Sequence, residues 1–397
     1  MDNIVLIVLD SVRRDFFHKN MTSAPAELRK DFVDFKKCSS IYTSTFASHY
    51  TMFFGDYLNK AKNDSFPAQL KKFGFKNRSF CNGAIITGYP LKDIVEKNLK
   101  KNRPYRETMV DDLGLFPEFN WEREMFGKVF EDYHGAADDE QRNVPEKWKG
   151  YIRDNRKNKN FIFLHFWNAH HNYGINGHIE EKITGRNFHE IGKELIRRVK
   201  NNELTEKFVK DVYSKRINEL LTIYIKDLIK ILKETSLYQD SLIIITADHG
   251  EGLGDIGLIY NERFFYTYQK IFRNYCKIKK RLSFLPTFKE LYYKWDFHTY
   301  YHNGSHDYQR MIPLLVKFPD NEFGGQYCDR KVSLFDIFNT IDELLPGRLD
   351  IQSRHGHSLY SRLKKPDEHI QEEELSYDPA EDEEIMKKRL RELGYLD

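Results

Sequence analysis

Cysteine is scarce in this sequence, and the few cysteines are widely separated. The 397 residues include 4 cysteines, at positions 38, 81, 276 and 328, and none of them forms a Cys-x-x-Cys pair. This spacing excludes a zinc-finger arrangement and a dense disulfide framework. An excess of one charge is also lacking, because Lys+Arg 63 against Asp+Glu 60 leaves a net charge of +3. We therefore expect no nucleic-acid partner.

Long apolar runs are also missing. The run within residues 1–10 has no basic residues before it and is too short for a signal peptide or a membrane span. We therefore expect a soluble protein of a reducing compartment, located in the cytoplasm. Aromatic residues, by contrast, are abundant, with Phe 30 and Tyr 24 available for a core. A chain of this length and composition is typical of one large α/β domain with an appendage.

Two apolar runs of strand length each end at an acidic residue. Residues 241–246 (SLIIIT) lead to Asp248 and His249, and residues 3–9 (NIVLIVL) lead to Asp10. Such runs are typical of strands buried in a parallel sheet, where ligands bind beyond the carboxyl ends of the strands. These side chains are therefore candidate metal ligands. Considered singly, they also fit an ordinary polar loop or a helix N-cap.

A cluster of hydroxyl groups precedes an apolar helical pattern within residues 42–55 (YTSTFASHYTMFFG). A hydroxyl at the start of a helix lies near free backbone N–H groups and the positive end of the helix dipole. This setting suits an anion and a nucleophilic oxygen. The alternative is that Thr43, Ser44 or Thr45 only caps the helix.

In combination, these features resemble the sulfatase branch of the alkaline-phosphatase superfamily. Its members pair an N-terminal strand ending in Asp with a Cys/Ser/Thr-x-Pro-Ser-Arg/His nucleophile segment and a later Asp-His-Gly-Glu. Here residues 45–49 (TFASH) overlie the nucleophile segment, and residues 248–251 (DHGE) overlie the last motif. The segment at 160–173 is similar to a family strand that leads to a histidine, which places His170 there. The segment at 300–316 places His302 on a further family position, with His306 as its competitor.

The departures from the family pattern favour phosphorus chemistry over sulfur chemistry. Formylglycine, the sulfatase nucleophile, is made from Cys or Ser, whereas this chain has Thr45. The usual arginine of the segment is His49, and Asp10 is followed by Ser11 in place of a second acid. The chain is thus more similar to threonine-nucleophile phosphotransferases and phosphoesterases of the superfamily.

The resemblance implies a role for each candidate residue. One divalent cation (Mn, Mg, Zn or Ca) would be bound by Asp10, Thr45, Asp248 and His249. Thr45 would be the nucleophile, and His170 and His302 would bind the anion or protonate the leaving oxygen. His49, His306 and Asn82 are the candidate substrate-binding residues. His165, inside an apolar run, is expected to be a hydrogen-bonded core residue.

For the fold, the resemblance implies a largely parallel central sheet between helices, with a small C-terminal subdomain. Residues 1–345 would form the catalytic domain, with a lid inserted at 256–300, and residues 346–397 a C-terminal segment that ends in a helix. Residues 206–235 repeat apolar positions every three or four residues, which predicts a long amphipathic helix. Aromatic and basic residues at 262–295 suit peripheral membrane contact, although a lid whose aromatic residues pack on the domain explains them as well.

The expected activity is hydrolysis or transfer of phosphate esters through a covalent phospho-threonine. The expected substrate is an anionic ester, either a small molecule or one linked to a glycan or lipid. Two alternatives stay open, a sulfate-ester hydrolase of the same fold and a noncatalytic binding protein. The sequence gives no indication of the oligomeric state.

Overall fold

The computed structural model describes residues 1–42, 45–57, 65–81, 132–135, 144–166, 168–170, 206–253, 307–347, 349 and 355–365. Apart from residues 252 and 253, all of them belong to one compact unit made of Met1–Glu251 and Gly304–Glu368. No helix in these ranges is both long and apolar enough to cross a membrane. The predicted lid at 256–300, the segment at 262–295 and the predicted C-terminal helix lie outside the described residues, so the domain boundaries stay predictions.

Nine strands in the described ranges form one sheet. They are β1 (Asn3–Leu9), β2 (Val33–Ser39), β3 (Lys76–Cys81), β4 (Asp132–Gly135), β5 (Asn160–Phe166), β6 (Ser241–Thr246), β7 (Met311–Ile312), β8 (Leu314–Lys317) and β9 (Tyr327–Ser333). Their order is β4-β3-β5-β1-β6-β8-β2-β7, with β9 beside β2. The first five strands in this order are mutually parallel, and β8 is antiparallel to both of its neighbours. The prediction of a largely parallel sheet is confirmed.

The centre of the sheet is β1, with β5 and β6 on either side. Every residue of these three strands is buried, as expected for strands covered on both faces. In the register, Val8 lies opposite His165 of β5 and Thr246 of β6. The three carboxyl ends therefore lie at the same edge, and the residues that follow them meet there.

Helices flank this sheet. They are α1 (Arg14–Asn20), α2 (Glu27–Lys30), α3 (Thr45–Phe54), α4 (Phe66–Leu70), α5 (Val144–Asp154), α6 (Glu206–Glu219), α7 (Lys226–Glu234), α8 (Asp307–Arg310), α9 (Phe335–Leu344) and α10 (Leu359–Lys364). A π-helical segment, Leu220–Ile225, joins α6 to α7. The predicted long helix over 206–235 is thus confirmed, with a locally widened turn in its middle that the sequence pattern did not indicate.

Candidate active site

The turn after β1 places Asp10 at the carboxyl edge of the sheet. The Asp10 N–H donates to the Phe166 carbonyl (2.9 Å), which keeps the chain paired to β5 for one more residue. Ser11 then adopts a left-handed backbone conformation with φ 60°, which is uncommon for a residue other than glycine. This turn allows the Ser11 N–H to donate to Asp248 Oδ1 (3.0 Å) and the Ser11 hydroxyl to donate to Asp10 Oδ1 (2.7 Å). Ser11 therefore links the two carboxylates.

Tyr213 of α6 stabilises the same turn through two hydrogen bonds. Its buried hydroxyl donates to the Ser11 carbonyl (2.6 Å) and accepts from the Arg13 N–H (2.9 Å). The two backbone groups belong to the irregular turn and so have no strand partner to satisfy them. Sequence reasoning assigned Tyr213 only to the apolar face of a helix, because nothing in the pattern indicates where its hydroxyl points.

Thr45 is the first residue of α3, and its side chain faces the two motifs. Its hydroxyl donates to Asp10 Oδ2 (3.3 Å), and its Oγ1 lies 3.5 Å from His249 Nε2. Thr45 is 7% exposed, so the hydroxyl is sheltered from bulk water. Three residues from well-separated parts of the sequence therefore meet around one oxygen atom.

The Asp248-His249-Gly250 segment is held by its own backbone. Asp248 Oδ1 accepts from the His249 N–H (2.8 Å), and His249 Nδ1 lies 2.8 Å from the Gly250 carbonyl. A hydrogen bond from Nδ1 to a carbonyl fixes the tautomer in which Nε2 carries the lone pair that can bind a metal. Gly250 is needed here because a Cβ at this position would lie 2.2 Å from the Tyr308 carbonyl oxygen.

Burial and mutual charge shift the pKa values of these groups. Burial acts to raise the pKa of Asp10, but the imidazoles of His165 and His249 hold it below its ordinary value. Burial and the nearby Asp10 carboxylate raise the pKa of Asp248. Burial would lower the pKa of His249, yet the carboxylates of Asp248 and Asp10 offset this and leave it raised. Two buried carboxylates so close together favour any positive charge placed between them.

The donor set fits a divalent cation. One ligand atom from each of Asp10, Asp248 and His249 lies within 4.8 Å of the other two, and all three residues are buried. Asp248 Oδ2 is buried and accepts no hydrogen bond from the residues that the structure describes. An unsatisfied carboxylate oxygen is costly in a protein interior unless a cation binds it. Two carboxylates and one imidazole are ligands that Mn, Mg and Zn all accept.

The other predicted site residues fall into two groups. His170 is buried, with Nε2 4.0 Å from Asp10 Oδ1, so it belongs to the cluster. His49 lies on α3, one turn beyond Thr45, and is also buried. Burial holds the pKa of His49 well below its ordinary value, and the neighbouring imidazoles of His165 and His249 lower it further. It therefore lacks the permanent charge of the arginine that the resemblance places there.

His302, His306 and Asn82 lie outside the described residues, and their predicted roles stay predictions. His165 was expected to be a hydrogen-bonded core residue. It is buried in β5, but neither ring nitrogen makes a hydrogen bond to any described residue, and Nε2 lies 3.2 Å from Asp10 Oδ2. His165 is thus a member of the site that the sequence interpretation missed. Its position one residue before the end of β5 was the available signal.

Comparison with known proteins identifies the family and the fold. The family model described as Sulfatase matches residues 2–347. No curated protein matches the sequence. Among solved structures, the phosphonate monoester hydrolase SpPMH from Silicibacter pomeroyi is similar, with a TM-score of 0.52, 15% identity and coverage of 91% of this chain and 76% of that one.

Two further solved structures share the fold. For the phosphonate monoester hydrolase of Agrobacterium radiobacter, the TM-score is 0.50 with 15% identity, and 92% of this chain and 77% of that chain are covered. For Ps i-CgsB, solved in complex with k-i-k-neocarrahexaose, the TM-score is 0.51 with 14% identity, and the coverage is 92% and 76%. At such identities the likeness extends to the architecture of a sheet flanked by helices, as predicted from the sequence.

Proposed function

Because this chain belongs to the sulfatase family, we propose that it is a metal-dependent hydrolase or transferase of phosphate esters with Thr45 as its nucleophile. Family membership by itself supports an ester hydrolase or transferase. The observation that carries the finer proposal is the position of the Thr45 hydroxyl, 3.3 Å from Asp10 Oδ2 and 3.5 Å from His249 Nε2. A nucleophile that touches two candidate metal ligands is placed where a cation activates it.

Other hydroxyl groups nearby are less suited to attack. The Ser48 hydroxyl, also on α3, lies 3.0 Å from the Ser40 hydroxyl and donates to the Tyr42 carbonyl (3.1 Å). The Ser11 hydroxyl is held by Asp10 Oδ1 at 2.7 Å. Cys38 is buried in β2, seven residues before Thr45. Thr45 is therefore the candidate nucleophile in this part of the described chain.

The proposed reaction has two displacements. Thr45 Oγ1 forms a bond to phosphorus as its hydroxyl proton passes to a water molecule, and the bond from phosphorus to the leaving oxygen breaks. His170 donates a proton to that oxygen. Water or an acceptor alcohol then attacks phosphorus and releases its proton, the bond from phosphorus to Thr45 Oγ1 breaks, and Oγ1 takes up a proton to restore the hydroxyl. A divalent cation held by Asp10, Asp248 and His249 would supply positive charge that lowers the hydroxyl pKa and offsets charge on the phosphoryl oxygens.

The start of α3 adds to the stabilisation of negative charge. Thr45 is its first residue, and α3 runs for 10 residues, to Phe54. The backbone N–H groups of a first helical turn have no partners within the helix, and the helix dipole is positive there. An anionic ester presented to Thr45 therefore meets this end of the helix. Substrates with a charged phosphoryl group attached to a small molecule, a glycan or a lipid fit this requirement.

A sulfate ester is the second candidate, because the matching family model carries the sulfatase description. The argument against it is chemical. A formylglycine hydrate expels sulfate by elimination, whereas an ester of the threonine oxygen has no such route and must be displaced by another nucleophile. A phosphate ester therefore fits Thr45 better than a sulfate ester. The two substrate classes are distinguished by which of them the protein turns over.

A substrate panel tests the proposal. Purified protein should be assayed with bis-aryl phosphate, aryl phosphate, aryl phosphonate and aryl sulfate under Mn, Mg, Zn and Ca. We expect metal-dependent turnover of a phosphorus ester, its loss in Thr45→Ala by at least 10³-fold, and partial activity in Thr45→Ser. Ser48→Ala removes a buried hydroxyl from the same helix and should stay active. Inactivity of the wild type on every ester, or full activity of Thr45→Ala, would contradict the proposal.

A further inference from the structure

Two buried histidines lie beside the proposed site without a part in the chemistry described so far. His165 belongs to β5 and His49 to α3, and they are 1% and 0% exposed. Their rings meet edge to face with centroids 5.1 Å apart and an interplanar angle of 84°. Both rings also lie against Phe163, at centroid distances of 5.4 Å for His49 and 6.4 Å for His165. Two imidazoles are thus enclosed between aromatic residues and the two acidic motifs.

The surroundings of His165 are incomplete for a buried imidazole. Within the part of the chain that the structure describes, neither Nδ1 nor Nε2 makes a hydrogen bond, although Nε2 lies only 3.2 Å from Asp10 Oδ2. A buried polar group without a partner costs about 1–3 kcal/mol, and native proteins retain few of them. Among the described residues, neither ring nitrogen of His165 is therefore satisfied, and each is available as a metal ligand.

Asp248 connects this pair to the first set of ligands. One ligand atom from each of His49, His165 and Asp248 lies within 4.8 Å of the other two. Asp248 is also a member of the set with Asp10 and His249. Its Oδ1 accepts the N–H groups of Ser11 and His249, while its Oδ2 is buried and accepts none. The side chain is therefore fixed by one oxygen and has the other available to metal.

We infer that His49, His165 and Asp248 hold a second divalent cation beside the one on Asp10, Asp248 and His249, so that the site binds two. Donor atoms bound to zinc at about 2.0–2.1 Å lie about 3.3 Å apart at tetrahedral angles, so small side-chain adjustments within the observed 4.8 Å complete the site. Two imidazoles and one carboxylate favour Zn, Co or Ni over Mg or Ca. Two cations about 3.5–4 Å apart can stabilise both the attacking and the leaving oxygen of a displacement at phosphorus.

This inference depends on the proposed function only through the first metal site. The second cation would supply, at His49, the positive charge that an arginine provides in the resembling family. A neutral imidazole cannot do this by itself. The substrate class stays the same, since a second cation adds attraction for an anionic phosphoryl group.

The test is metal stoichiometry, measured by elemental analysis after loading with Zn²⁺ and desalting. We expect two zinc ions per chain in the wild type and one in His49→Phe and in His165→Phe. Phenylalanine keeps a ring against Phe53 and Phe163 at position 49 and against Phe163 at position 165. Circular dichroism verifies the fold of each variant. His355→Phe changes a half-buried histidine near Asp56, outside both ligand sets, and should still bind two.

A second measurement does not depend on the count of zinc ions. Loading with Mn²⁺ should give a spin-coupled electron paramagnetic resonance spectrum in the wild type and an isolated-ion spectrum in His165→Phe. One ion per chain in the wild type, lost in Asp10→Asn, would overturn the second site and leave the proposed function intact. No bound ion at all would overturn both. Two ions in wild type and in both phenylalanine variants would also overturn the assignment to His49 and His165.

Discussion

The hydroxyl of Tyr213 provides a sharp prediction, because it holds the turn that presents Asp10 without contacting Asp10 itself. Tyr213→Phe removes one oxygen atom and keeps the ring, which packs edge to face against Phe16 with centroids 5.0 Å apart. The variant loses the hydrogen bond to the Ser11 carbonyl and the one from the Arg13 N–H. Any effect can therefore be attributed to the hydroxyl.

The expected magnitude follows from the two backbone groups left behind. A typical hydrogen bond contributes about 0.5–1.5 kcal/mol, and a buried group left without its partner costs about 1–3 kcal/mol. We expect the free energy of unfolding to fall by about 2–3 kcal/mol. Ser11, at φ 60°, would also be less firmly held in its left-handed conformation. Because Asp10 lies next to it, we expect metal affinity to fall about 10-fold to 100-fold, as for other residues that orient a ligand.

The assay combines urea unfolding with competition for metal by a chelator of known affinity. The matched control is Tyr238→Phe, which removes a hydroxyl that donates to Asp31 Oδ2 (2.9 Å) away from the site. It should lower the unfolding free energy by about 1 kcal/mol and leave the metal affinity unchanged. The reasoning is refuted if Tyr213→Phe changes stability by less than about 0.5 kcal/mol and binds metal like the wild type.

Two further predictions concern stability. Gly250→Ala should lower the unfolding free energy by about 1–3 kcal/mol and weaken metal binding, because the added Cβ would lie 2.2 Å from the Tyr308 carbonyl oxygen. An unchanged midpoint of urea unfolding would contradict this prediction. Lys317 is buried, and burial lowers its pKa to about 8 from 10.5. The unfolded chain thus binds more protons between these values, so stability should rise by about 1 kcal/mol from pH 8 to 9.5. Lys317→Met should lack this rise. An equal rise in the variant would show that Lys317 is not the group responsible for it.

The centre of the fold could be predicted because its signal is local. Residues 3–9, 160–166 and 241–246 are strands buried on both faces, and their apolar runs are visible without any knowledge of neighbours. The sequence interpretation did not identify β2 or β9. In these strands buried positions alternate with lysine, aspartate and arginine, and β9 pairs with β2 across about 290 residues of sequence. Charged residues at the less buried positions interrupt the apolar pattern, so a search for apolar runs does not detect such strands.

The candidate site shows the same division between local and nonlocal information. Asp10, Asp248 and His249 end strands or follow them, so their shared edge followed from the rules of parallel sheets. The same rule places His165, one residue before the end of β5, near this edge, but its contact with Asp10 could not be predicted in this way. It depends on the register of β5 against β1 and on the left-handed turn at Ser11, which bends the chain after β1. Both are properties of packing between distant segments.

In the proposed mechanism, Thr45 carries the phosphoryl group during turnover. The direct measurement is rapid acid quenching of the metal-loaded wild type with a phosphorus ester that it turns over, followed by peptide mass spectrometry. We predict a phosphorylated peptide in which the modification maps to Thr45, and its absence in Thr45→Ala. Turnover by the wild type without any phosphorylated Thr45, together with sustained turnover by Thr45→Ala, would contradict the account.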